Sequence, residues 1–181
     1  MISRLFRRTP RDESIASLYG MIVAQARAPA FYQIYGVPDT VNGRLEMVML
    51  HTVLVLRRLE GSEGPGRTLG QGLFDHFCHD MDATMREMGV GDLAVPRKMR
   101  QIGEAFYGRQ AAYRAALAEP AGLDDPALIA TLERNVFAGA AAPAAARRLA
   151  SYVREADRRL AAQAAFDGAD LAFPDPEQVA I

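Results

Sequence analysis

Proline and glycine residues divide this sequence into segments in which apolar side chains recur every three or four residues. Such spacing places the apolar side chains on one face of an α-helix, whereas a half-buried strand requires strict alternation. Proline is tolerated at the first position of a helix and glycine just after its last, so both mark helix boundaries. No segment alternates as a strand does. The sequence therefore predicts an all-α fold, a single-domain bundle of about six or seven helices.

The boundary residues also predict where the individual helices lie. Asp39 or Thr40 is suited to cap the third helix, and Thr68 with Gln71 has the spacing of a capping box for the fourth. The glycine-rich stretch 61–66 before it is predicted to be an exposed loop. The predicted helices cover, approximately, residues 10–28, 30–35, 40–60, 68–88, 96–117, 126–138 and 143–166.

The composition is that of one globular domain without a strong electrostatic field. The chain has 181 residues, 50% of them hydrophobic, and a formal net charge of -1, so nothing in its charge favours binding to nucleic acid. Cys78 is the single cysteine, which fits a reducing compartment. We expect a basic N-terminal segment over 1–13, a helical domain over 14–166 and an acidic tail over 167–181 that is flexible or draped over the surface.

The first residues do not follow the pattern of an export signal. Arg4, Arg7 and Arg8 are followed from Thr9 by polar residues rather than by an apolar stretch. The most apolar segment, 45–59, contains charged side chains and is too short to span a bilayer. The expected location is cytoplasmic, with at most a weak peripheral contact at the inner face of the cytoplasmic membrane.

Two of the three histidines lie in a polar cluster on the predicted fourth helix. Asp75 with His79, and His76 with Asp80, are neighbours four residues apart on this helix. Helix bundles that bind two metal ions use paired Glu-x-x-His segments, which this sequence lacks. We therefore favour solvated or cap-paired side chains over a metal site.

The remaining candidates for catalytic chemistry are isolated from suitable partners. His51 lies in the most apolar helix without a nucleophile to activate, which favours a buried histidine with one hydrogen bond. Cys78 is predicted to be a small buried apolar side chain, because its neighbour His79 points away from it on a helix. The sequence thus predicts no catalytic residue, metal ligand or cofactor. The alternative is a helical metal- or haem-binding enzyme or ligand-binding protein that uses His51, His76 or His79.

Methionines are concentrated in the three central helices. Flexible thioethers suit a groove that adapts to an apolar partner helix, but ordinary core filling explains them equally well. The methionines in question are Met47, Met49, Met81, Met85, Met88 and Met99.

Several motifs, in this order and spacing, resemble one known family. They include Tyr35-Gly-Val-Pro-Asp-Thr40, Arg86-Glu-Met-Gly-Val-Gly-Asp92 and Ala105-Phe-Tyr-Gly-Arg109. The other matching residues are 18–27, 31–32, 43–46, 50–51, 74–75, 80–82, 95–96 and 98–99, with Pro29 and Tyr113. Together they resemble the ubiquinol-cytochrome c chaperone family, which includes mitochondrial assembly factors for cytochrome b of the cytochrome bc1 complex. The resemblance covers about residues 14–117 and says little about 120–181.

This resemblance implies an assembly chaperone rather than an enzyme, one that binds newly made cytochrome b and assists assembly of the cytochrome bc1 complex. It implies cytochrome b or another bc1 component as partner, with a small partner subunit or the ribosome as further candidates. The absence of a mitochondrial presequence makes the chain look like a bacterial member. Asp39 and Asp92 are also suited to helix capping and salt bridging, which we favour for them. The candidate client- or partner-binding residues are Tyr32, Asp39, Arg44, Glu46, Asp80, Asp82, Arg86, Glu87, Phe106, Tyr107, Arg109 and Tyr113.

Overall fold

The computed structural model describes residues 10–60, 65–119, 125–140, 142–163 and 171–179. These residues form seven helices and no strand, which confirms the predicted all-α fold. In chain order the helices are α1 Pro10–Ala26, α2 Pro29–Gln33, α3 Val41–Leu59, α4 Pro65–Glu87, α5 Val95–Ala118, α6 Pro126–Asn135 and α7 Pro143–Ala162.

Proline and glycine act as the sequence predicts at most helix boundaries. Six of these seven helices carry proline at their first or second residue, where the missing amide hydrogen is not needed. Gly36, Gly89 and Gly139 follow helices with φ values of 72°, 79° and 76°, which glycine adopts without the steric cost of a side chain.

The start of α3 depends on a hydroxyl cap and on one glycine. The Thr40 side chain accepts a hydrogen bond from the amide of Gly43 at 3.0 Å, so Thr40 rather than Asp39 is the cap. A Cβ atom on Gly43 would overlap the carbonyl oxygen of Pro38. Residue 43 therefore has to be glycine for the preceding turn to close in this way.

The predicted start of α4 was wrong. This helix begins at Pro65, so Gly66 is helical rather than in a loop and Thr68 lies inside the helix rather than at its cap. Gln71 donates a hydrogen bond forward to Asp75 instead of back to a cap residue. Proline at the first position preorganises the helix, which outweighs the low helix propensity of the adjacent glycine. Residues 61–64 of the predicted loop lie outside the described residues.

Helix α3 is the centre of the bundle. It packs against α1, α4, α5 and α7, while α6 packs against α5 and α7. Side chains on all faces of α3 are buried, including the polar residues Glu46, His51 and Thr52. A helix that is apolar all round is expected to be enclosed by others, which agrees with the apolar character of segment 45–59.

Arginine side chains attach α7 to its neighbours. Arg57 on α3 forms an ion pair with Asp157 at 2.9 Å, and Arg154 on α7 forms one with Asp125 at 2.6 Å. Arg58 donates from Nε to the carbonyl oxygen of Leu160 at 2.8 Å. That oxygen belongs to the last turn of the helix, where backbone acceptors lack intrahelical donors.

The described part of the acidic tail, residues 171–179, is held by specific partners. Gln25 Nε2 donates to the carbonyl oxygen of Pro174 at 2.9 Å, and the Tyr35 hydroxyl donates to that of Pro176 at 2.8 Å. The ring of Phe173 packs edge-on against His51, with 5.1 Å between centroids. In these residues the chain thus lies against α1, α3 and the segment that follows α2. Of the two alternatives that the sequence leaves open, the described residues follow the one in which the tail is draped over the surface.

Candidate functional site

A cleft of about 1000 Å³ opens between the last turns of α3, the first turns of α4 and the second half of α5. Its apolar lining comes from Leu56 and Leu59 on α3, Phe74 on α4 and Phe106 on α5. Tyr107 stands at its edge with 58% of its surface exposed. A concave surface of this kind is suited to holding an apolar partner.

The aromatic rings at the cleft form a continuous series from the core to solvent. Phe77 and Phe106 are fully buried, with 5.0 Å between their centroids. Phe74 follows at 5.0 Å from Phe106, and Tyr107 lies 5.3 Å from Phe74. Buried rings hold the outer rings in place, so Phe74 and Tyr107 present a preorganised aromatic edge.

The rim of the cleft carries polar groups of both signs. Arg114 on α5 forms an ion pair with Glu60 at the end of α3, and Arg67 and Gln110 line the cleft beside them. An apolar lining with a polar rim is the usual anatomy of a protein-binding surface.

A smaller pocket of about 270 Å³ lies between the first half of α3, the end of α4 and the first half of α5. It contains Glu46, which is 2% exposed, and Arg109. The Arg109 guanidinium donates to both carboxylate oxygens of Glu46, from Nε at 2.6 Å and from Nη2. This hydrogen bonding to Glu46 raises the pKa of Arg109. The pair joins α3 to α5 and provides a buried brace beside the pocket.

Three other candidate residues meet at the turn between α2 and α3. Arg44 donates to Asp39 at 2.6 Å, and its guanidinium lies 5.7 Å from the centre of the Tyr32 ring. The Tyr32 hydroxyl donates to the carbonyl oxygen of Ala26 at 2.9 Å. The hydrogen bond from Arg44 lowers the pKa of Asp39. This exposed cluster is separate from the cleft.

The end of α4 is closed by a second group of candidates. Arg86 donates to Asp82 at 2.6 Å on its own helix and to Asp92 beyond the turn at 2.6 Å. The hydrogen bond from Arg86 lowers the pKa of Asp82. Glu87 is exposed on the last turn of the helix. These contacts span the turn between α4 and α5.

The polar cluster on α4 is occupied by local and interhelical contacts. The Tyr19 hydroxyl donates to Asp80 at 2.8 Å, and the Tyr19 ring lies 5.0 Å from the His76 ring. Burial, followed by the hydrogen bond to Asp80, raises the pKa of Tyr19. In the part of the chain that the structure describes, no group of three or more His, Cys, Asp or Glu residues is placed to hold a metal ion.

His51 is a structural residue with two hydrogen bonds, one more than predicted. Nδ1 lies 2.8 Å from the carbonyl oxygen of Met47, which can only accept, so Nδ1 carries the proton. Nε2 therefore accepts from the Tyr152 hydroxyl at 2.9 Å, and the Tyr152 oxygen accepts from Gln25 at 2.9 Å. Burial lowers the pKa of His51 to about 4. Both ring nitrogens are thus engaged in the neutral form.

Comparison with known proteins gives the family. The sequence model of the family described as ubiquinol-cytochrome C chaperone matches residues 33–170. The chain belongs to this family. The match extends the resemblance beyond residue 117 to the end of α7, and it includes every residue that lines the cleft.

A solved structure and a curated relative agree with the family match. The chain is similar to the Cbp3 homolog from Brucella abortus, known from a crystal structure, with 37% identity and a TM-score of 0.84, over 99% of this chain and 100% of that one. It is 24% identical over 120 residues to ubiquinol-cytochrome-c reductase complex assembly factor 1 of Xenopus laevis. That match covers 66% of this chain and 58% of the relative.

The candidate residues of this family member do not form one site. Phe106 and Tyr107 line the cleft, and Glu46 and Arg109 line the smaller pocket. Asp80, within α4, accepts a hydrogen bond from Tyr19, and the other charged candidates lie at the turn before α3 or at the end of α4. Tyr113 is fully buried, and this burial raises the pKa of its hydroxyl. The candidate set missed the other residues that line the cleft, among them Leu56, Leu59, Phe74, Gln110 and Arg114.

Two signals in the sequence bear on this cleft. Gly66 and Gly70 lie four residues apart on α4, and both line the cleft. Small residues at this spacing share one helical face, so they could have indicated a cleft beside that face. The methionines were the less useful signal. Met47, Met49 and Met85 are buried in the core, and no methionine is among the described residues that line the cleft.

Proposed function

We propose that this chain is an assembly chaperone of the cytochrome bc1 complex that binds newly made cytochrome b. The observation that carries the proposal is membership of the ubiquinol-cytochrome C chaperone family over residues 33–170. The Xenopus relative, described as an assembly factor of ubiquinol-cytochrome-c reductase, supports the same complex as destination. The chain acts by binding and release, without catalytic chemistry.

The cleft between α3, α4 and α5 is the proposed client-binding site. A membrane protein such as cytochrome b has apolar segments that must be shielded before assembly, and shielding requires apolar contact area that can be released again. Phe74 and Tyr107 offer aromatic contact at the cleft edge, and the ion pair between Arg114 and Glu60 lies on its rim. Aromatic side chains with a polar surround are typical anchors of protein interfaces.

The structure favours binding over the alternative of a histidine-dependent enzyme. The described residues that line the cleft include no histidine or cysteine. His51 uses both ring nitrogens in hydrogen bonds inside the core, so it has no free position for a metal ion or a substrate. No specific observation supports a second function.

Photo-crosslinking during synthesis of the client tests the proposal. A photoreactive phenylalanine analogue at position 107 lies at the cleft, and the same analogue at the exposed position 158 is the matched control. We expect newly made cytochrome b to crosslink at position 107 and not at position 158. Crosslinks at both positions or only at 158 would contradict the cleft as the site, and crosslinks to another bc1 component would contradict the client.

Deletion of the gene tests the wider function. We expect the content of assembled bc1 complex and of cytochrome b to fall, and reintroduction of the chain to restore both. Normal bc1 content in the deletion strain would exclude the assembly function. A strain that carries the triple variant His51→Gln, His76→Gln, His79→Gln separates this function from histidine chemistry. If the folded variant accumulates to the wild-type level, we expect normal bc1 content. A loss of bc1 content at that level of folded variant would instead favour histidine chemistry.

A further inference from the structure

The turn between α4 and α5 presents apolar side chains to solvent. Leu93 is 98% exposed and Met88 is 57% exposed. Leu93 is the most exposed large apolar residue in the described part of the chain, while Val95 two residues later is buried. Single exposed apolar residues are common on protein surfaces, so the surroundings of Leu93 determine whether the turn has a function.

Those surroundings are cationic. Arg97, Lys98 and Arg100 follow in the first two turns of α5, and all three are exposed. No ion pair within the described residues includes any of them, whereas Arg86 on the other side of the turn is paired with Asp82 and Asp92. The first turn of α5 contains no acid. Cations near the positive end of a helix are electrostatically disfavoured, so a partner with negative charge would stabilise this arrangement.

We propose that the turn between α4 and α5 is a contact site for the surface of an anionic lipid bilayer. Leu93 and Met88 enter the boundary between headgroups and acyl chains, and Arg97, Lys98 and Arg100 face the lipid phosphates. Apolar side chains combined with a cluster of basic residues are the usual elements of peripheral membrane binding. This inference does not depend on the identity of the client.

Charge complementarity favours a lipid surface over a protein partner. Residues 86–100 contain four cations and two carboxylates, although the whole chain has a net charge of -1. Asp92 is paired with Arg86, and neither Asp92 nor Glu87 forms an ion pair with the three cations within the described residues. The turn exposes two large apolar side chains rather than a broad apolar patch, which is less than a stable protein interface requires.

Vesicle cosedimentation of the full chain tests the proposal. We expect stronger binding to vesicles of phosphatidylcholine mixed with phosphatidylglycerol than to phosphatidylcholine alone, with a decrease at high salt. Leu93→Ser should lower the partition coefficient roughly tenfold. The triple variant Arg97→Gln, Lys98→Gln, Arg100→Gln should lower it roughly a hundredfold, because each basic residue near an anionic surface contributes about a factor of five.

Two matched controls keep the test specific. Arg27→Gln, Arg134→Gln, Arg158→Gln removes the same charge from exposed positions elsewhere, and Val41→Ser removes an exposed apolar side chain from the start of α3. Both should bind vesicles nearly as the wild type does. Because the altered turn residues are exposed, we expect every turn variant to fold. Thermal unfolding of each variant checks this.

Four results would overturn the proposal. The first is equal binding of the wild type to neutral and anionic vesicles, or no binding to either. The second is an equal loss of binding in the two triple variants, which would assign binding to general charge. The third is a loss of binding only on deletion of residues 2–8, which would assign binding to the basic N-terminal segment. The fourth is normal vesicle binding by the turn variants together with reduced bc1 content in cells, which would assign the turn to a protein partner.

Discussion

Two aromatic clusters in this molecule differ in what covers them. The tail-side cluster consists of Phe31, Tyr35, His51, Tyr152 and Phe173, with Phe173 contributed by the chain's own tail. The cleft cluster consists of Phe74, Phe77, Phe106 and Tyr107, and its outer members are open to solvent. The residue types are similar, so among the described residues the two clusters differ in whether a segment of the chain covers them.

The hydrogen bonds of the tail-side cluster show what covering requires. Its polar atoms form a directed series in which Gln25 donates to Tyr152, Tyr152 to His51 and His51 to Met47. The Tyr35 hydroxyl donates to Pro176 of the tail. A cluster enclosed in this way has the properties of a core. The cleft cluster instead keeps an exposed edge, which is the property expected of a binding surface.

Phe31→Ala should produce the largest effect on stability. The Phe31 ring is fully buried and contacts the rings of Tyr35, His51 and Tyr152 at 5.5, 5.3 and 4.8 Å. Removal of a buried phenylalanine leaves a cavity and costs about 3–5 kcal/mol of the free energy of unfolding, measured by denaturant titration. Phe74→Ala in the cleft should cost less than half as much, because Phe74 is already partly exposed. Equal losses would contradict the distinction between the two clusters.

His51, which belongs to the tail-side cluster, should make the free energy of unfolding of the protein depend on pH. Burial lowers its pKa from 6.5 to about 4, so between these values the unfolded chain binds a proton that the folded chain does not. Stability is therefore complete above about pH 6.5, falls as the pH decreases towards 4, and levels off below that value. The loss attributable to His51 amounts to at most about 3 kcal/mol.

The measurement is the free energy of unfolding by urea at a series of pH values from 7 to 4. His51→Gln should have a flatter pH profile than the wild type over this range. Leu128→Ala is the control, since it removes a buried apolar side chain and leaves His51 in place. An unchanged slope in His51→Gln would show that other groups cause the acid sensitivity.

The sequence allowed the helices to be predicted more fully than their contacts. Proline, glycine and the Thr40 hydroxyl act within one or two turns of chain, so the ends of most helices follow from local rules. The error at α4 has the same local origin. The glycines of 61–66 predict a loop that includes Gly66, although Pro65 before it is also a good first residue of a helix.

The candidate site was predicted only in part because it depends on contacts between distant residues. Glu46 and Arg109 are 63 residues apart in the sequence, and no periodicity shows that these two charges pair. Phe106 and Tyr107 belong to a motif that resembles the family, but Leu56 and Leu59 belong to an apolar helix, and only the packed structure shows that its last turns line a cleft. Whether a side chain is covered by another segment depends on tertiary packing, and local sequence patterns do not report it.

The same contrast between covered and open groups should apply to ion pairs. Glu46→Ala leaves the partly buried Arg109 without its carboxylate. The expected loss is about 2 kcal/mol, less than for a fully buried pair because Arg109 remains 23% exposed and can be partly solvated. Arg44→Ala breaks the exposed pair with Asp39 and should give no resolvable change.

A double variant tests whether the buried pair stabilises the fold or only avoids an isolated charge. Glu46→Met, Arg109→Met should recover part of the stability lost in Glu46→Ala, because two apolar side chains leave no charge uncompensated. Denaturant titration of the three variants gives the comparison. A double variant at least as unstable as Glu46→Ala would show that the brace between α3 and α5 stabilises the protein through the ion pair itself.

Tyr107→Ala should have the smallest effect on stability and still impair client binding. Tyr107 is 58% exposed, and substitutions of exposed residues usually change the free energy of unfolding by about 0.5 kcal/mol or less. If the cleft cluster is a binding surface, loss of this aromatic anchor should weaken capture of the client about tenfold or more. Tyr107→Phe keeps the ring and should retain most of the binding. A Tyr107→Ala variant that loses stability but captures cytochrome b normally would make the cleft cluster equivalent to the tail-side cluster, since its outer ring would then serve packing alone.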